Sequence, residues 1–265
     1  MTAWRLLRFE THNASTNMAI DEAILRARIA DKVPNTIRFY RWKPSAVSIG
    51  RFQNIQKEVN LDNCKQHGVD VVRRITGGGA VYHDGQDEIT YSVVVKRDDL
   101  GIVDVTSAYN RICCGLTEAL ELLGVKADFN VGDQNNCPNI TVNGRKISGS
   151  AQSYKGGTVL QHGTLLMNVD LEKMFTFLRV PWAKTCIEIV NVAEKRITSV
   201  KDEIGSEIMI EKTLASLVKG FECALGIELS EETLTKEEVE AIEELRREKF
   251  SNEDWTFLGT LRKTR

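Results

Sequence analysis

The sequence predicts an α+β protein in which mixed β-sheets are flanked by helices. Three observations carry that prediction. Alternating or continuous apolar runs are bounded by Gly, Pro and Asn; helical-period segments are interleaved with them; and a glycine-punctuated stretch in the second half divides into three consecutive strands. With 265 residues, 42% of them hydrophobic, the chain can bury a substantial core.

The elements follow in order. NASTNMAIDEAILRARIAD (13–31) opens with cap-type Asn and Ser residues, then spaces Met18, Ala19, Ala23 and Leu25 helically, which predicts an amphipathic helix. NTIRFYRW (35–42) alternates and SAVSIGRF (45–52) is a short apolar run, so two strands are expected with Lys43 and Pro44 at the turn between them. EVNLDNCKQHG (58–68) returns to helix, and VDVVRRITGGGAVYHD (69–84) with EITYSVVVKR (88–97) reads as strand, turn, strand. AYNRICCGLTEALELLG (108–124) is helical. In residues 140–170 the NG and KGG turns divide a three-stranded meander, the expected sheet core. From about Asp170 the texture becomes helical, ending in a segment (230–250) so rich in Glu, Lys and Arg that a solvated surface helix is expected.

Composition narrows function. A formal net charge of −2 gives no general attraction to nucleic acid or anionic membrane. The N-terminus has no apolar stretch before a cleavage-type site, and no run approaches the roughly 18 apolar residues of a spanning helix, so a cytoplasmic protein is expected. The six cysteines form no CxxC pair, and no residue is assigned to a metal. Most read as small core hydrophobes, Cys113 and Cys114 among them. Cys137 differs: it stands in the polar, turn-forming run GDQNNCPN, where no apolar periodicity asks for it.

Three constellations carry chemistry. In VVRRITGGGAVYHD, Gly77, Gly78 and Gly79 let a ligand approach bare backbone N–H groups, while Arg73 and Arg74 offer forked donors suited to phosphate or carboxylate. The plainer alternative is a wide β-bulge with arginines reaching solvent. In NGRKISGSAQ, Lys146 precedes a small-residue strand, Gly149, Ser150 and Ala151, that a ligand can lie against; a lone strand lysine is otherwise a surface charge. In LQHGTLL, His162 stands beside Gly163 inside an apolar strand, where a histidine satisfied by a backbone carbonyl is the plain reading.

Taken together and in this order, these motifs resemble the lipoate-protein ligase and octanoyltransferase family, which shares its catalytic fold with the biotin-protein ligases. NMAIDEAILR, IRFYRWKPSAVSIGRFQN, VNLDNCKQHGVDVVRR and the terminal NEDW extend the resemblance over nearly the whole chain. It implies a single catalytic domain over 1–265 whose helical C-terminal part covers about 170–265, with no room for a full accessory domain. It also implies attachment of a lipoyl or octanoyl group, through an amide, to one lysine of a lipoyl domain such as those of 2-oxoacid dehydrogenases or the glycine cleavage H protein.

Two chemistries share the scaffold. A ligase activates free lipoate or octanoate with ATP and Mg²⁺; an octanoyltransferase takes octanoate from acyl carrier protein onto a cysteine and needs no cofactor. The intact GGGAVYHD and the short stretch from Cys137 to Lys146 favour the ligase, which would then call for a separate small accessory protein. DEITYSVVV, LQHG and the overall length resemble the transferases, in which Cys137 would be the nucleophile. A non-catalytic lipoyl-domain-binding module is the reading from another class. The resemblance assigns adenylate or substrate binding to Arg74, Thr76, Gly77, Gly78, Gly79, His83, Gly149, Ser150, Ala151, His162 and Gly163, and the central catalytic role to Lys146. Val71, Val72, Val81 and the TYSVVV run are expected to line an acyl tunnel.

Overall fold

The computed structural model describes residues 2–132, 137–180 and 185–261. In chain order its strands are β1 (Thr2–His12), β2 (Thr36–Trp42), β3 (Ala46–Ile49), β4 (Asp70–Arg73), β5 (Val81–His83), β6 (Glu88–Lys96), β7 (Asp128–Asn130), β8 (Asn139–Val142), β9 (Arg145–Lys155), β10 (Thr158–Leu166) and β11 (Ile227–Glu232). Its helices are α1 (Ala14–Ile29), α2 (Ile55–Glu58), α3 (Leu61–Gln66), α4 (Val105–Leu122), α5 (Leu171–Phe177), α6 (Cys186–Ala193), α7 (Val200–Ile204), α8 (Ile210–Leu225) and α9 (Lys236–Leu245), followed by π-helical turns at Arg246–Phe250 and Asp254–Leu258. The large sheet runs β11-β1-β2-β6-β10-β9-β8-β7 and a small one runs β4-β3-β5. The α+β class with helix-flanked mixed sheets is therefore present.

The meander forms as the sequence predicts. Asn143 and Gly144 have φ of 50° and 78°, and Gly156 and Gly157 have 54° and 70°, the left-handed pairs that two-residue hairpins need. On one face of the large sheet, Phe39, Tyr91 and Val93 pack against Cys113, Leu116 and Leu120 of α4 and Leu217 and Phe221 of α8. On the other, Tyr40, Val94 and Leu160 pack against α1, which Ile242, Leu245 and Trp255 cover from outside. Strand β11 pairs with β1 and α8 packs on α4, so the C-terminal part shares this core.

Several expectations change. Helix α1 is not amphipathic in the surface sense, since Asn17 through Leu25 are all buried, including Asn17, Asp21 and Glu22. It lies between the sheets and α9, and its polar residues are satisfied inside the protein. The run 45–52 stops as a strand at Ile49, where Gly50 opens a turn closed by Gln53 N donating to its carbonyl. The turn at Lys43 and Pro44 carries the chain from one sheet to the other. Strands β1, β7 and β11 were not anticipated, because their short or charged runs lack a clean two-residue period. The acidic C-terminal helix is solvated on one side only: Glu238 is buried and takes a two-pronged bond from buried Arg5, at 2.8 and 2.6 Å, which joins the helix to β1. Cys64 and Cys113 are buried as expected and Cys223 is exposed.

Candidate active site

One pocket gathers most of the predicted residues. Arg74, Gly78, Gly79, His83, Cys137, Lys146, Gly149, Ser150, Ala151, His162 and Gly163 line a cleft of about 660 Å³ including its open mouth, with Met18, Tyr40, Trp42, Ser48, Ala80, Val81, Thr90, Pro138 and Thr164. Thr76 and Gly77 stand just behind its wall. The volume suits a small ligand.

The arginines behave as neither sequence alternative describes. Arg74 is buried, and its five N–H groups all meet protein acceptors. Nε donates to Thr76 Oγ1 (3.3 Å), one terminal nitrogen to Ser48 O (2.9 Å) and Ser48 Oγ (2.8 Å), and the other to Gly77 O (2.9 Å) and Gly79 O (3.0 Å). Its fork is thus spent on shaping the glycine turn, although its charge remains, and burial pushes its pKa down to about 10. Arg73 points the other way. It donates to the carbonyls of Gly50, Arg51 and Gln53 and to those of Trp255, Thr256 and Phe257, while Trp255 Nε1 returns a bond to Arg73 O at 2.9 Å. The terminal NEDW motif is therefore a structural clasp on the strand that leads into the turn.

Within the turn, only Gly78 has a positive φ, 86°. Among the described residues a Cβ on Gly77 or Gly79 would meet nothing within 4 Å, and Gly79, which lines the pocket, leaves its backbone open to a ligand, whereas a Cβ on Gly50 would collide with the Gly78 carbonyl. Gly50 was missed by the sequence reading; its only signal was the strand-ending SIGRF.

Both motif histidines are buried and neither is satisfied by a carbonyl. His83 bonds Glu88 Oε1 through Nδ1 and Ser48 Oγ through Nε2, each at 2.7 Å, and stacks on Trp42 at 4.1 Å. His162 bonds Asp21 Oδ2 through Nδ1 (3.0 Å) and Thr76 Oγ1 through Nε2 (2.7 Å). Burial holds His162 below the usual histidine pKa, against the pull of Asp21, so the ring is neutral. Asp21 stays ionised: burial opposes its charge, but the His162 hydrogen bond and Arg38 outweigh burial and lower its pKa.

Lys146 is placed by a bulge. Ile140 pairs with Ser148 and Thr141 with Lys146, which leaves Ile147 as an extra residue on β9. In a regular strand Lys146 and Gly149 would face opposite ways. With the bulge they share a face, and the Lys146 side chain lies so close over Gly149 that a Cβ there would stand 2.5 Å from Nζ. The residue keeps exposed surface toward the mouth, yet the protein packed around its ammonium lowers its pKa; the Cys137 thiol opposes that shift and Arg74 adds to it. Cys137 is exposed and lies at the pocket with Pro138, within electrostatic reach of Lys146 and Arg74.

The expected acyl tunnel changes in composition. Val72 and Val94 pack into the core around α1, Val93 and Val95 into the core under α4, and Val71, half-buried, packs against the core of the small sheet. Only Val81 and Thr90 of that set reach the pocket, and its apolar wall comes instead from Met18, Tyr40, Trp42, Ala80 and Ala151. A continuous apolar run marks strands buried on both faces, which is why it could not tell pocket from core. Among the described residues no group of three or more His, Cys, Asp or Glu could hold a metal, and no helix is long and apolar enough to cross a membrane.

A half-apolar cleft with two cations at a bare glycine turn, on a meander-centred mixed sheet, defines an enzyme of the lipoate-protein ligase and octanoyltransferase group. Comparison with known proteins agrees. The profile of the lipoyl protein ligase A/B catalytic domain matches residues 13–222. Proteins named octanoyltransferase LipM from Brevibacillus brevis and Geobacillus kaustophilus are 35% and 36% identical to the chain; each alignment covers 96% of it and 99% or 98% of the relative. The bi-partite lipoate protein ligase of Thermoplasma acidophilum superposes with a TM-score of 0.85 at 33% identity, covering 100% of this chain and 99% of that one. A lipoate-protein ligase A bound with ATP gives 0.82 at 33% identity, covering 97% and 99%. The chain belongs to the lipoyl protein ligase A/B catalytic-domain family.

Proposed function

We propose that the protein is an octanoyltransferase that moves an octanoyl group from an acyl carrier protein to the ε-amine of one lysine on a lipoyl domain, through a thioester on Cys137. This reverses the order of the two chemistries expected from the sequence. The observation that carries it is Cys137 at the same pocket as Lys146 and Arg74, in a chain that aligns almost end to end with proteins named octanoyltransferase.

The Cys137 thiolate attacks the carrier thioester carbonyl; the bond from that carbon to the carrier sulfur breaks, and the carrier thiolate leaves and takes up a proton. Lys146 and Arg74 supply the positive field in which the thiolate and the tetrahedral oxyanion form. The acceptor amine then attacks the Cys137 thioester, the carbon–sulfur bond breaks, and an amide forms as the amine proton passes to a base. Lys146, its pKa lowered by the protein packed around its ammonium, gives its proton to the departing carrier thiolate and, in the neutral form this leaves, accepts the amine proton. The apolar wall of Met18, Tyr40 and Trp42 receives the alkyl chain.

The ligase remains the second reading, favoured by the open backbone at Gly79 and by the ATP-bound neighbour. On it, ATP and Mg²⁺ would supply activation of a free acid, the adenylate would be held by that backbone and Lys146 rather than by the committed fork of Arg74, and a separate accessory subunit would be a partner. Incubation with octanoyl-carrier protein and no acceptor should leave one hydroxylamine-sensitive octanoyl group, lost in Cys137→Ala together with all transfer. A Cys137→Ala protein that still acylates the lipoyl domain from octanoate and ATP would overturn the proposal. Lys146→Ala should abolish acylation by either route.

A further inference from the structure

The NMAID motif and Glu88 have no part in the chemistry above, yet two of their carboxylates, Asp21 and Glu88, end in the same place. We infer that Asp21 and Glu88 are positioning residues: each holds one histidine in the tautomer that accepts a hydrogen bond at Nε2, and the two histidines fix Arg74, and with it the glycine turn, from opposite ends of the guanidinium. This rests on the acyl-transfer reading of the pocket.

For singly protonated rings the donor and acceptor balance admits one arrangement on each side. Asp21 carries three bonds, from Arg38 to Oδ1 (3.0 Å) and from Tyr40 Oη and His162 Nδ1 to Oδ2 (3.0 Å each). An ionised carboxylate only accepts, so His162 carries its proton on Nδ1 and Nε2 must accept. The Thr76 hydroxyl therefore donates to Nε2 and turns a lone pair to Arg74 Nε. On the other side Glu88 Oε1 accepts from His83 Nδ1 (2.7 Å) and from the Thr90 hydroxyl (2.6 Å), which in turn accepts from Trp42 Nε1 (2.7 Å). His83 Nε2 then accepts from Ser48, whose oxygen takes a bond from Arg74. Between these two relays Arg74 grips the carbonyls of Gly77 and Gly79. Glu88 Oε2 is buried with no partner among the described residues, a cost that a purely stabilising side chain would not carry.

The relay is tested first through the histidine tautomers, His83 being expected to match His162, and then through kinetics on the His162 side. Imidazole ¹⁵N shifts at neutral pH should show His162 protonated at Nδ1 and bare at Nε2; protonation at Nε2 in the wild type would overturn the inference. Asp21→Asn keeps the size but not the charge, and should lower kcat by about tenfold or more while the KM for the acyl donor moves far less, since the turn that seats the carbonyl is displaced and the donor's outer contacts are not. Because that variant leaves Arg38 buried without its carboxylate, Thr76 supplies the second arm: Thr76→Val should reproduce the kcat defect and Thr76→Ser should restore it. The Asp21→Asn, Thr76→Val double variant should be no worse than the poorer single one. Multiplying defects, or wild-type kcat in Thr76→Val, would refute the relay. A protein that transfers no acyl group from any donor would instead sink the functional reading and leave the tautomer measurement standing.

Discussion

Gly149→Ala isolates the position of Lys146 from the stability of the fold. Gly149 has no positive φ, so an alanine backbone is unstrained there, and among the described residues, its chain neighbours aside, the atoms within 4 Å of the new methyl are Lys146 Nζ (2.5 Å) and Cε (2.6 Å). Ordinary contact begins near 3.4 Å, so the ammonium must retreat by about 1 Å, which the flexible end of a lysine does at little cost to folding. The substitution also removes backbone freedom from the unfolded chain, a gain of about 0.4–1 kcal/mol. A 1 Å displacement of a charge-stabilising group costs up to about 100-fold in rate. The expected result is an unchanged or slightly raised urea midpoint together with a roughly 10- to 100-fold loss of lipoyl-domain acylation, read by intact mass over time. Wild-type rates with a normal midpoint would refute the claim that the ammonium must stand over Gly149 for transfer.

Gly50→Ala should be worse tolerated, because its methyl meets the Gly78 backbone carbonyl rather than a movable side-chain end; a loss of about 1–3 kcal/mol by urea titration and loss of acylation are expected together. Gly78→Ala places a side chain at φ 86° and should cost about 1–2 kcal/mol, with donor binding weakened in a pull-down of octanoyl-carrier protein. Arg73→Met removes the donors to six carbonyls and should cost about 3 kcal/mol, with the Trp255 segment becoming the first region to exchange amide hydrogens. Finally, His162 has a folded-state pKa below its unfolded 6.5, so the unfolded chain binds the extra proton first and stability falls as pH drops from about 6.5 toward the folded value. Urea midpoints between pH 7.5 and 5.5 should fall more in the wild type than in His162→Gln; equal slopes would contradict the neutral ring.

The meander, both hairpin turns and the motif-bearing strands were legible because two-residue turns and strand periods are local properties of the sequence. What the sequence could not separate was two kinds of buried arginine. Arg73 and Arg74 are adjacent and chemically identical, and alternation along β4 sends one to the C-terminal clasp and the other to the pocket. Nothing within the motif says that the Arg73 fork is filled by main-chain carbonyls and the Arg74 fork by three carbonyls and two hydroxyls. The same limit hid Asp21 and Glu88, whose partners lie 141 and five residues away. A helix with Asn17, Asp21 and Glu22 at one-turn spacing reads as having a polar face toward water, and it becomes a buried polar seam because Arg38, Tyr40 and His162 of the large sheet meet Asn17 and Asp21 while Lys249 of the C-terminal part meets Glu22. The bulge at Ile147 was equally silent, yet it decides that Lys146 meets Gly149 at all.

The electrostatics of the pocket explain why one scaffold can serve both chemistries. Among the described residues neither Arg74 nor Lys146 is paired with a carboxylate, and each depresses or resists the charge of its surroundings: burial disfavours both cations, and Arg74 further disfavours Lys146. Two cations held together in a partly dry cleft repel each other, and any anion that enters relieves the repulsion and gains more than it would in water. A thiolate on Cys137, a tetrahedral oxyanion and an acyl phosphate all meet that requirement. The cations are fixed by rigid parts, Arg74 by two histidine-backed hydroxyls and Lys146 by a bulged strand paired on both sides. Cys137 comes from a loop. An anion-stabilising site can therefore keep its geometry while the group that becomes anionic is exchanged; on the proposed mechanism the reaction class turns on Cys137, and Cys137→Ala is the substitution able to separate the two.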